Sequence, residues 1–224
     1  MGAGATGSVP RMETSAQKLQ RVLRDRIELV PYDPRWPALF EAEKQHLLAL
    51  FPTLIRRVEH FGSTAVPGLR AKPVVDLLIE VSSLAAARER IAPVLESAGY
   101  DYFWRATHGE DGPPFYAWFI KRDARGARTH HLHMVEAHSE HWDRLIFRDY
   151  LIAHPDCARR YQDLKLRLAA EHPSDRVAYT RAKTAFIEKV NADARAERRL
   201  PGCVTAGPQG RSSSAPSGAT TPRD

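Results

Sequence analysis

Residues Val74 to Val81 are apolar apart from two acids, and this pattern predicts a strand buried in a β-sheet. Successive side chains of a strand point to opposite faces, so one face is uniformly apolar and the other carries Asp76 between Val74 and Leu78. A carboxylate in such surroundings is costly unless it is paired with a cation or binds a metal ion. Asp76 is therefore the leading functional candidate. The structural alternative is an ion pair with Lys72 or a nearby arginine.

Hydrophobic periodicity predicts four more strands, at residues 55–61, 100–104, 115–121 and 129–136. Helices are predicted at residues 13–25, at 34–51 with Asp33 as the N-cap, at 84–98 with Ser83 as the N-cap, and at 140–153, 155–171 and 176–195. Strands mixed with helices in this way predict an α/β (α+β) fold, with a mixed sheet flanked by helices.

Composition divides the 224 residues into one domain and two tails. Residues 1–10 are rich in Gly, Ala and Ser, and residues 201–224 are rich in Gly, Pro, Ser and Thr. Such segments cannot bury enough apolar surface to offset the entropy of ordering. We predict a flexible or partly helical extension over residues 1–26, a domain over residues 27–195 and a disordered tail over residues 196–224.

Bulk properties favour a cytoplasmic protein. The two cysteines, Cys157 and Cys203, lack the spacing of a metal site, and so few cysteines fit a reducing compartment. No apolar run reaches the roughly 18 residues of a membrane span, so no membrane partner is expected. The net charge of +6 is dispersed, without a basic patch that includes aromatic residues, which argues against nucleic acid as a partner. The oligomeric state stays open.

A glycine-serine turn follows the first predicted strand, at His60-Phe61-Gly62-Ser63-Thr64. Glycine allows positive φ and close approach of a ligand to the backbone. The hydroxyl and amide groups of Ser63 and Thr64 suit a phosphate or a carboxylate. The P-loop pattern is absent because no Lys-Ser/Thr pair closes the turn. A plain loop is the structural alternative.

Two histidines share one face of the last predicted strand. His131 and His133 are two residues apart, whereas Leu132 and Met134 point to the core and His130 faces away. The two imidazoles are thereby within reach of one metal ion, one phosphate or one proton transfer. Three other basic residues on predicted helices could reach an anion, but a surface salt bridge is the favoured interpretation of each: Arg148, Lys165 and Lys183.

Several motifs in order resemble the GrpB family, which includes the C-terminal domain of some bacterial dephospho-CoA kinases. The resemblance covers residues 27–191. The matching stretches are Val30-Pro31-Tyr32-Asp33-Pro34-Arg35-Trp36, residues 60–69, Ala71-Lys72-Pro73-Val74-Val75-Asp76, His131-Leu132-His133, Phe147-Arg148-Asp149-Tyr150-Leu151 and the pair Tyr179 and Lys183.

The resemblance implies a nucleotidyltransferase-like fold, in which a Gly-Ser turn holds nucleotide phosphates and acids on the next strand bind two metal ions. Gly62 and Ser63 match the turn, and Asp76 matches the first acid. The position of the second acid, two residues on, is Leu78. Because two-metal sites use bridging carboxylates, we hypothesise that His131 and His133 supply the missing ligands.

The leading interpretation is a nucleotidyltransferase-like enzyme that uses a nucleoside triphosphate and a divalent metal ion, Mg²⁺ or Mn²⁺, on a small-molecule acceptor. One alternative is a non-catalytic module that binds a nucleotide or a CoA-like ligand. Another is a transferase or ligase of specialised metabolism. The predicted phosphate-binding residues are Gly62, Ser63, Thr64, Lys72 and Arg128, and the predicted catalytic and metal-binding residues are Asp76, His131 and His133.

Overall fold

The computed structural model describes residues 15–24, 26–107 and 112–199, and the predictions for residues 1–14 and for the tail beyond residue 199 lie outside them. The strands are β1 (Ile55–Phe61), β2 (Val75–Val81), β3 (Asp101–Ala106), β4 (Phe115–Arg122) and β5 (Arg128–Val135). The α-helices are α1 (Ser15–Arg24), α2 (Trp36–Leu50), α3 (Leu84–Ala86), α4 (Ala92–Ser97), α5 (Asp143–Ala153), α6 (Pro155–Glu171), α7 (Arg176–Arg181) and α8 (Thr184–Arg199). Short 3₁₀ helices cover Ser63–Ala65 and Glu140–Trp142, and a π-helical turn, Ala87–Ile91, joins α3 to α4.

The five strands form one mixed sheet in the order β1-β2-β5-β4-β3. The central pair, β2 and β5, is parallel, and the other neighbours are antiparallel. This arrangement confirms the predicted mixed sheet flanked by helices.

The two faces of the sheet carry different environments, as the alternation in β2 predicts. The first face, with Leu77 and Ile79 of β2 and Leu132 of β5, packs against α2 and the helical segment from α3 to α4 in the main core. On the second face, Leu78 packs with aromatic residues of β4 and with Leu145 of α5. The polar residues Asp76, His131 and His133 lie on this second face.

The extension before the domain contains helix α1, which packs against the domain. Val22 is buried in the core of the second face. Arg21 pairs with Asp101 at 2.7 Å, and Lys18 pairs with Glu96 at 2.8 Å. Across the described residues, no helix combines the length and apolar character needed to cross a bilayer.

Several predicted helices differ from the structure. The helix predicted at residues 84–98 contains the π-helical turn, and the one predicted at residues 140–153 begins with a 3₁₀ helix. Helix α2 begins at Trp36, with Arg35 at the N-cap position, and not at Pro34. The Asp33 carboxylate accepts hydrogen bonds from the backbone and guanidinium of Arg35 in the turn before the helix. The predicted helix over residues 176–195 divides into α7 and α8.

Strand β2 also begins one residue late, since the Val74 amide bonds the Lys72 carbonyl at 2.7 Å in a tight turn. The prediction for Ser83 is confirmed, because its hydroxyl accepts a hydrogen bond from the Ala86 amide.

Candidate functional site

Asp76, His131 and His133 come together because β2 and β5 are neighbours. The parallel register pairs Asp76 with His131 and Leu78 with His133. The imidazole Nδ1–H of His131 donates a hydrogen bond to Asp76 Oδ1 at 3.1 Å. Among the described residues, no lysine or arginine lies within ion-pair distance of Asp76, so the alternative prediction of an ion pair is not met, and Lys72 and Arg144 act on its charge from farther away. One potential metal-ligating atom from each of Asp76, His131 and His133 lies within 4.8 Å of the other two.

Gly62 brings the turn after β1 against the Asp76 carboxylate. Its φ of 73° and ψ of −171° lie in a region that is essentially restricted to glycine. A Cβ atom on Gly62 would lie 2.5 Å from Asp76 Oδ2. Glycine at this position is therefore required both by the backbone conformation and by the close approach of the carboxylate.

The charge state of the site is set by burial and by its basic neighbours. Burial alone would raise the pKa of Asp76, but the His131 hydrogen bond and the charges of Lys72 and Arg144 hold that pKa below its usual value. Burial lowers the pKa of His131, although Asp76 opposes the shift. Burial and the adjacent Arg144 lower the pKa of His133 well below its usual value. At neutral pH the site thus holds one carboxylate and two neutral imidazoles.

Three lysines with depressed pKa values lie near one another and near the site, and one of them, Lys165, contacts the turn. Burial lowers the pKa of Lys72 and of Lys165 to about 7 and that of Lys183 to about 8. The ammonium groups of Lys72 and Lys183 lie over the Tyr179 ring, 5.7 and 4.3 Å from its centroid. Among the described residues, none of the three lysines forms an ion pair with a carboxylate. We call Lys72, Lys165 and Lys183 the lysine cluster.

Ser63 is the contact between the turn and the lysine cluster. Lys165 Nζ donates a hydrogen bond to Ser63 Oγ at 3.1 Å and another to the Arg70 carbonyl. The Tyr161 hydroxyl is also hydrogen-bonded to the Ser63 side chain. Lys165 is only 2% exposed, so its predicted role as a surface salt bridge is wrong.

The other residues predicted at the site are placed differently. Thr64 is buried, and its hydroxyl lies 3.0 Å from His60 Nε2, so the hydroxyl is directed to this histidine and not to a ligand at the turn. The Arg128 guanidinium donates to the Val22 carbonyl at 2.5 Å and lies 3.4 Å from His131 Nε2, which ties α1 to β5 beside the site. Arg148 forms the predicted kind of salt bridge, with Glu59 at 3.1 Å.

Arg144 and Tyr179 are site residues to which sequence reasoning gave no role. Arg144 Nη1 lies 3.4 Å from His133 Nδ1, and its guanidinium lies over the Phe61 ring, 5.5 Å from the centroid. Tyr179 belongs to a stretch that matches the GrpB family, and this match was the sequence feature that could have identified it as a site residue. Arg144 and Arg148 are four residues apart on α5, so they share one face of the helix. The sequence gives no sign that this face is buried, and Arg144 therefore has the pattern of a surface residue.

Aromatic residues enclose the two histidines. The Tyr116 ring stacks on His133 at 5.6 Å, and the edge of Phe61 meets the same imidazole at 5.1 Å. Trp118 contacts His131 edge to face, with 5.3 Å between ring centroids. These aromatic residues exclude water from the imidazoles, whereas the Asp76 side chain remains 26% exposed and keeps one side of the site open.

A surface cavity of about 380 Å³ adjoins the site through Arg144. Its lining is of mixed charge, with Glu140, Asp143, Glu188 and Arg195. Asp143 and Arg195 pair across it at 2.5 Å. Arg144 both lines the cavity and contacts His133, so its side chain lies between the cavity and the site.

The donor set does not fit the pair of metal ions that the resemblance implies. The second-acid position is Leu78, which is fully buried on the second face. Within the described residues, the metal-ligating group contains Asp76 as its single carboxylate. A pair of Mg²⁺ ions requires bridging oxygen ligands that this group does not provide.

The model of the GrpB protein family matches residues 26–193, which is most of the described domain. The chain belongs to the GrpB family. A UPF0157 protein of Pseudomonas aeruginosa is 39% identical over 180 residues, which cover 79% of this chain and 71% of that protein.

A solved structure of a GrpB protein shows the same fold. The crystal structure of the conserved protein GrpB from Enterococcus faecalis has a TM-score of 0.66 and 33% identity, covering 76% of this chain and 99% of that chain. The dephospho-CoA kinase of Mycolicibacterium paratuberculosis is 32% identical over 188 residues, covering 75% of this chain. The match covers 46% of that kinase, so it concerns a part of the enzyme only.

Proposed function

We propose that this GrpB protein is a nucleotidyltransferase-type enzyme that binds a nucleoside triphosphate and transfers its nucleotidyl group to a small acceptor. The observation that carries the proposal is the lysine cluster beside the Gly62-Ser63 turn, opposite the single carboxylate of Asp76. A buried ammonium group without a counter-ion is costly. Lys165 is fully buried and Lys72 and Lys183 are partly buried, and together they favour a ligand with several negative charges.

A triphosphate satisfies these groups better than a single carboxylate. Phosphate oxygens accept strong charge-assisted hydrogen bonds from lysine and arginine. Lys165 already holds the Ser63 hydroxyl at 3.1 Å, so serine and lysine can contact adjacent phosphate oxygens. Lys72 and Lys183 flank Tyr179 and extend the positive surface beyond the turn.

The Asp76–His131 pair supplies the proton transfer in this proposal. The acceptor oxygen or nitrogen attacks the α-phosphorus, and the bond from that phosphorus to the leaving pyrophosphate breaks. Asp76 orients His131 through Nδ1–H, which leaves Nε2 unprotonated and able to take the acceptor proton. The guanidinium groups of Arg128 and Arg144 stabilise the charge that develops on the transferred group.

Removal of one lysine should weaken triphosphate binding without unfolding the protein. We expect Lys183→Met to reduce affinity for the preferred triphosphate by at least about tenfold, because it removes one ammonium group from the lysine cluster. Thermal-shift titrations with ATP, GTP, CTP and CoA, each with and without Mg²⁺ or Mn²⁺, measure the effect. In the unmodified protein, saturating ligand at about 100 times Kd stabilises by about 2.7 kcal/mol, or roughly 5–10 °C.

Lys189→Met is the matched control for this prediction. Lys189 lies on α8, which follows the turn that holds Lys183, and it is exposed and pairs with Asp193 at 3.0 Å. Its replacement should leave the ligand-induced shift unchanged. Equal losses in both variants would indicate non-specific attraction of the anion, and the absence of any shift in the unmodified protein would contradict the proposed site.

Triphosphate affinity should fall as pH rises from 7 to 9. The free lysine cluster has pKa values of about 7 to 8, and a bound polyanion favours the ammonium form and raises them. Binding therefore takes up protons, and affinity decreases by up to about tenfold per pH unit for each proton taken up. Isothermal titration calorimetry at pH 8, in two buffers that differ in ionisation enthalpy, measures the uptake. Affinity that rises with pH would contradict this assignment.

A second candidate function is favoured by Leu78. Without the second acid, the cleft could bind a nucleotide or a CoA-like ligand and carry out no reaction. The same titrations separate the two functions when pyrophosphate release is followed alongside them. Stabilisation by a triphosphate with no pyrophosphate release for any acceptor favours the binding module.

A further inference from the structure

We propose that Asp76, His131 and His133 bind a single divalent transition metal ion of the zinc or cobalt type in preference to Mg²⁺. The inference concerns the cleft of the proposed function and deepens it, because it replaces the implied pair of magnesium ions by one ion of different chemistry. Metal binding is a property of the protein without nucleotide, so it can be tested apart from the nucleotide proposal.

The geometry of the first two ligands matches a shared ion. His131 Nδ1 and Asp76 Oδ1 are 3.1 Å apart. Two ligand atoms held at about 2.0–2.1 Å from a tetrahedral ion are separated by about 3.3 Å. An ion that displaces the Nδ1 proton would therefore enter between these atoms with little movement of either side chain. In this metal-bound state His131 is a ligand, and the base role that its Nδ1–H contact with Asp76 gives it belongs to the metal-free site. His133 offers its ligand atom within 4.8 Å of both, and rotation of its imidazole can shorten that distance.

The chemical identity of the donors selects the ion. Two imidazole nitrogens and one carboxylate oxygen suit zinc, cobalt, nickel and iron. Mg²⁺ prefers oxygen ligands and octahedral geometry, and Asp76 is the single protein oxygen of this group. The apolar side chain of Leu78 fills the position from which a second oxygen would come.

The surroundings leave a place for an anionic co-ligand. Arg128 and Arg144 lie 3.4 Å from imidazole nitrogens of His131 and His133, and these contacts are long for hydrogen bonds. Two guanidinium groups beside a dication repel it unless anionic ligands complete the coordination. Hydroxide or a phosphate oxygen in the open position would be bound by the ion and by both arginines.

The test is a titration of the purified, metal-stripped protein with Co²⁺ alone, without nucleotide. We expect visible absorption bands of a low-symmetry cobalt site that saturate at one ion per chain. Zn²⁺ at equimolar concentration should abolish the bands, and Mg²⁺ in about 100-fold excess should leave them unchanged. Loss of the bands in the presence of excess Mg²⁺, or the absence of any saturable bands, would overturn the inference.

Variants assign the site to these residues. Two variants, His133→Ala and Asp76→Asn, should each weaken cobalt binding by at least about tenfold, because each removes one of the proposed metal ligands. His130→Gln is the matched control, because His130 is on the same strand and its side chain is on the opposite face. Unchanged cobalt binding in both folded site variants would overturn the assignment. A triphosphate shift that persists without metal would still support the nucleotide site.

Discussion

Asp76→Asn should reduce pyrophosphate release from the preferred triphosphate by about 10³-fold or more, at an unchanged fold. The substitution keeps the size of the side chain but removes the negative charge of the single carboxylate in the metal-ligating group of the described residues. The amide no longer holds His131 in the tautomer with the proton on Nδ1, so Nε2 loses its role as a base. It also removes the single anionic metal ligand. Steady-state release of pyrophosphate measures the loss, and circular dichroism confirms the fold.

Glu80→Gln is the control for the loss of a carboxylate from β2. Glu80 shares the strand face with Asp76 but lies four residues further on, outside the metal-ligating group. We expect activity within about twofold of the unmodified protein, since surface substitutions away from a site have small effects. If folded Asp76→Asn retains full activity, Asp76 has no part in the reaction, and the proposed enzyme mechanism is wrong.

Gly62→Ala should lower the free energy of unfolding by about 3–4 kcal/mol. A backbone conformation restricted to glycine accounts for about 1–3 kcal/mol of this, and overpacking against a neighbour adds about 1–3 kcal/mol. The neighbour is Asp76 Oδ2, 2.5 Å from the position of the new methyl group. Urea denaturation followed by circular dichroism measures the change. Triphosphate binding should be lost with it, because the turn can no longer approach the carboxylate.

Gly68→Ala separates backbone strain from the contact with Asp76. Gly68 belongs to the same loop and has a φ of 77°, but a Cβ atom there meets nothing within 4 Å. The control should lose only about 1–2 kcal/mol, the usual penalty of the left-handed region. Gly62→Ala introduced together with Asp76→Ala should recover part of the lost stability. Equal losses for Gly62→Ala and Gly68→Ala would show that the close approach to Asp76 has no energetic consequence.

Short-range patterns in the sequence were sufficient to predict the strands of the sheet and the strand faces that carry Asp76, His131 and His133. Alternation in β2 and β5 placed Asp76, His131 and His133 on the faces where the structure has them, because side-chain direction in a strand depends on position alone. The helix starts were less predictable. The Asp33 carboxylate bonds the backbone and guanidinium of Arg35, and the helix starts only after this turn, at Trp36.

The lysine cluster could not be read from the sequence, because it depends on contacts between distant segments. Lys165 is 102 residues from Ser63 along the chain, and on an isolated amphipathic helix it has the pattern of a surface lysine. Only the packing of α6 and α8 against the loop after Gly62 buries it, through Val66, Leu69, Tyr161 and Val190. Burial then changes the pKa, which is a property of the assembled environment and not of the residue.

The sequence by itself determined the strand alternation, the glycine-serine turn, the paired histidines and the absence of a second acid at Leu78. The tertiary structure alone decided that β2 and β5 are parallel neighbours, that the Asp76 carboxylate lies against Gly62, and that Lys72, Lys165 and Lys183 lie near one another and near the site. The physical reason is that side-chain direction follows from local backbone geometry, whereas burial and electrostatic coupling arise only when segments distant in the chain pack together.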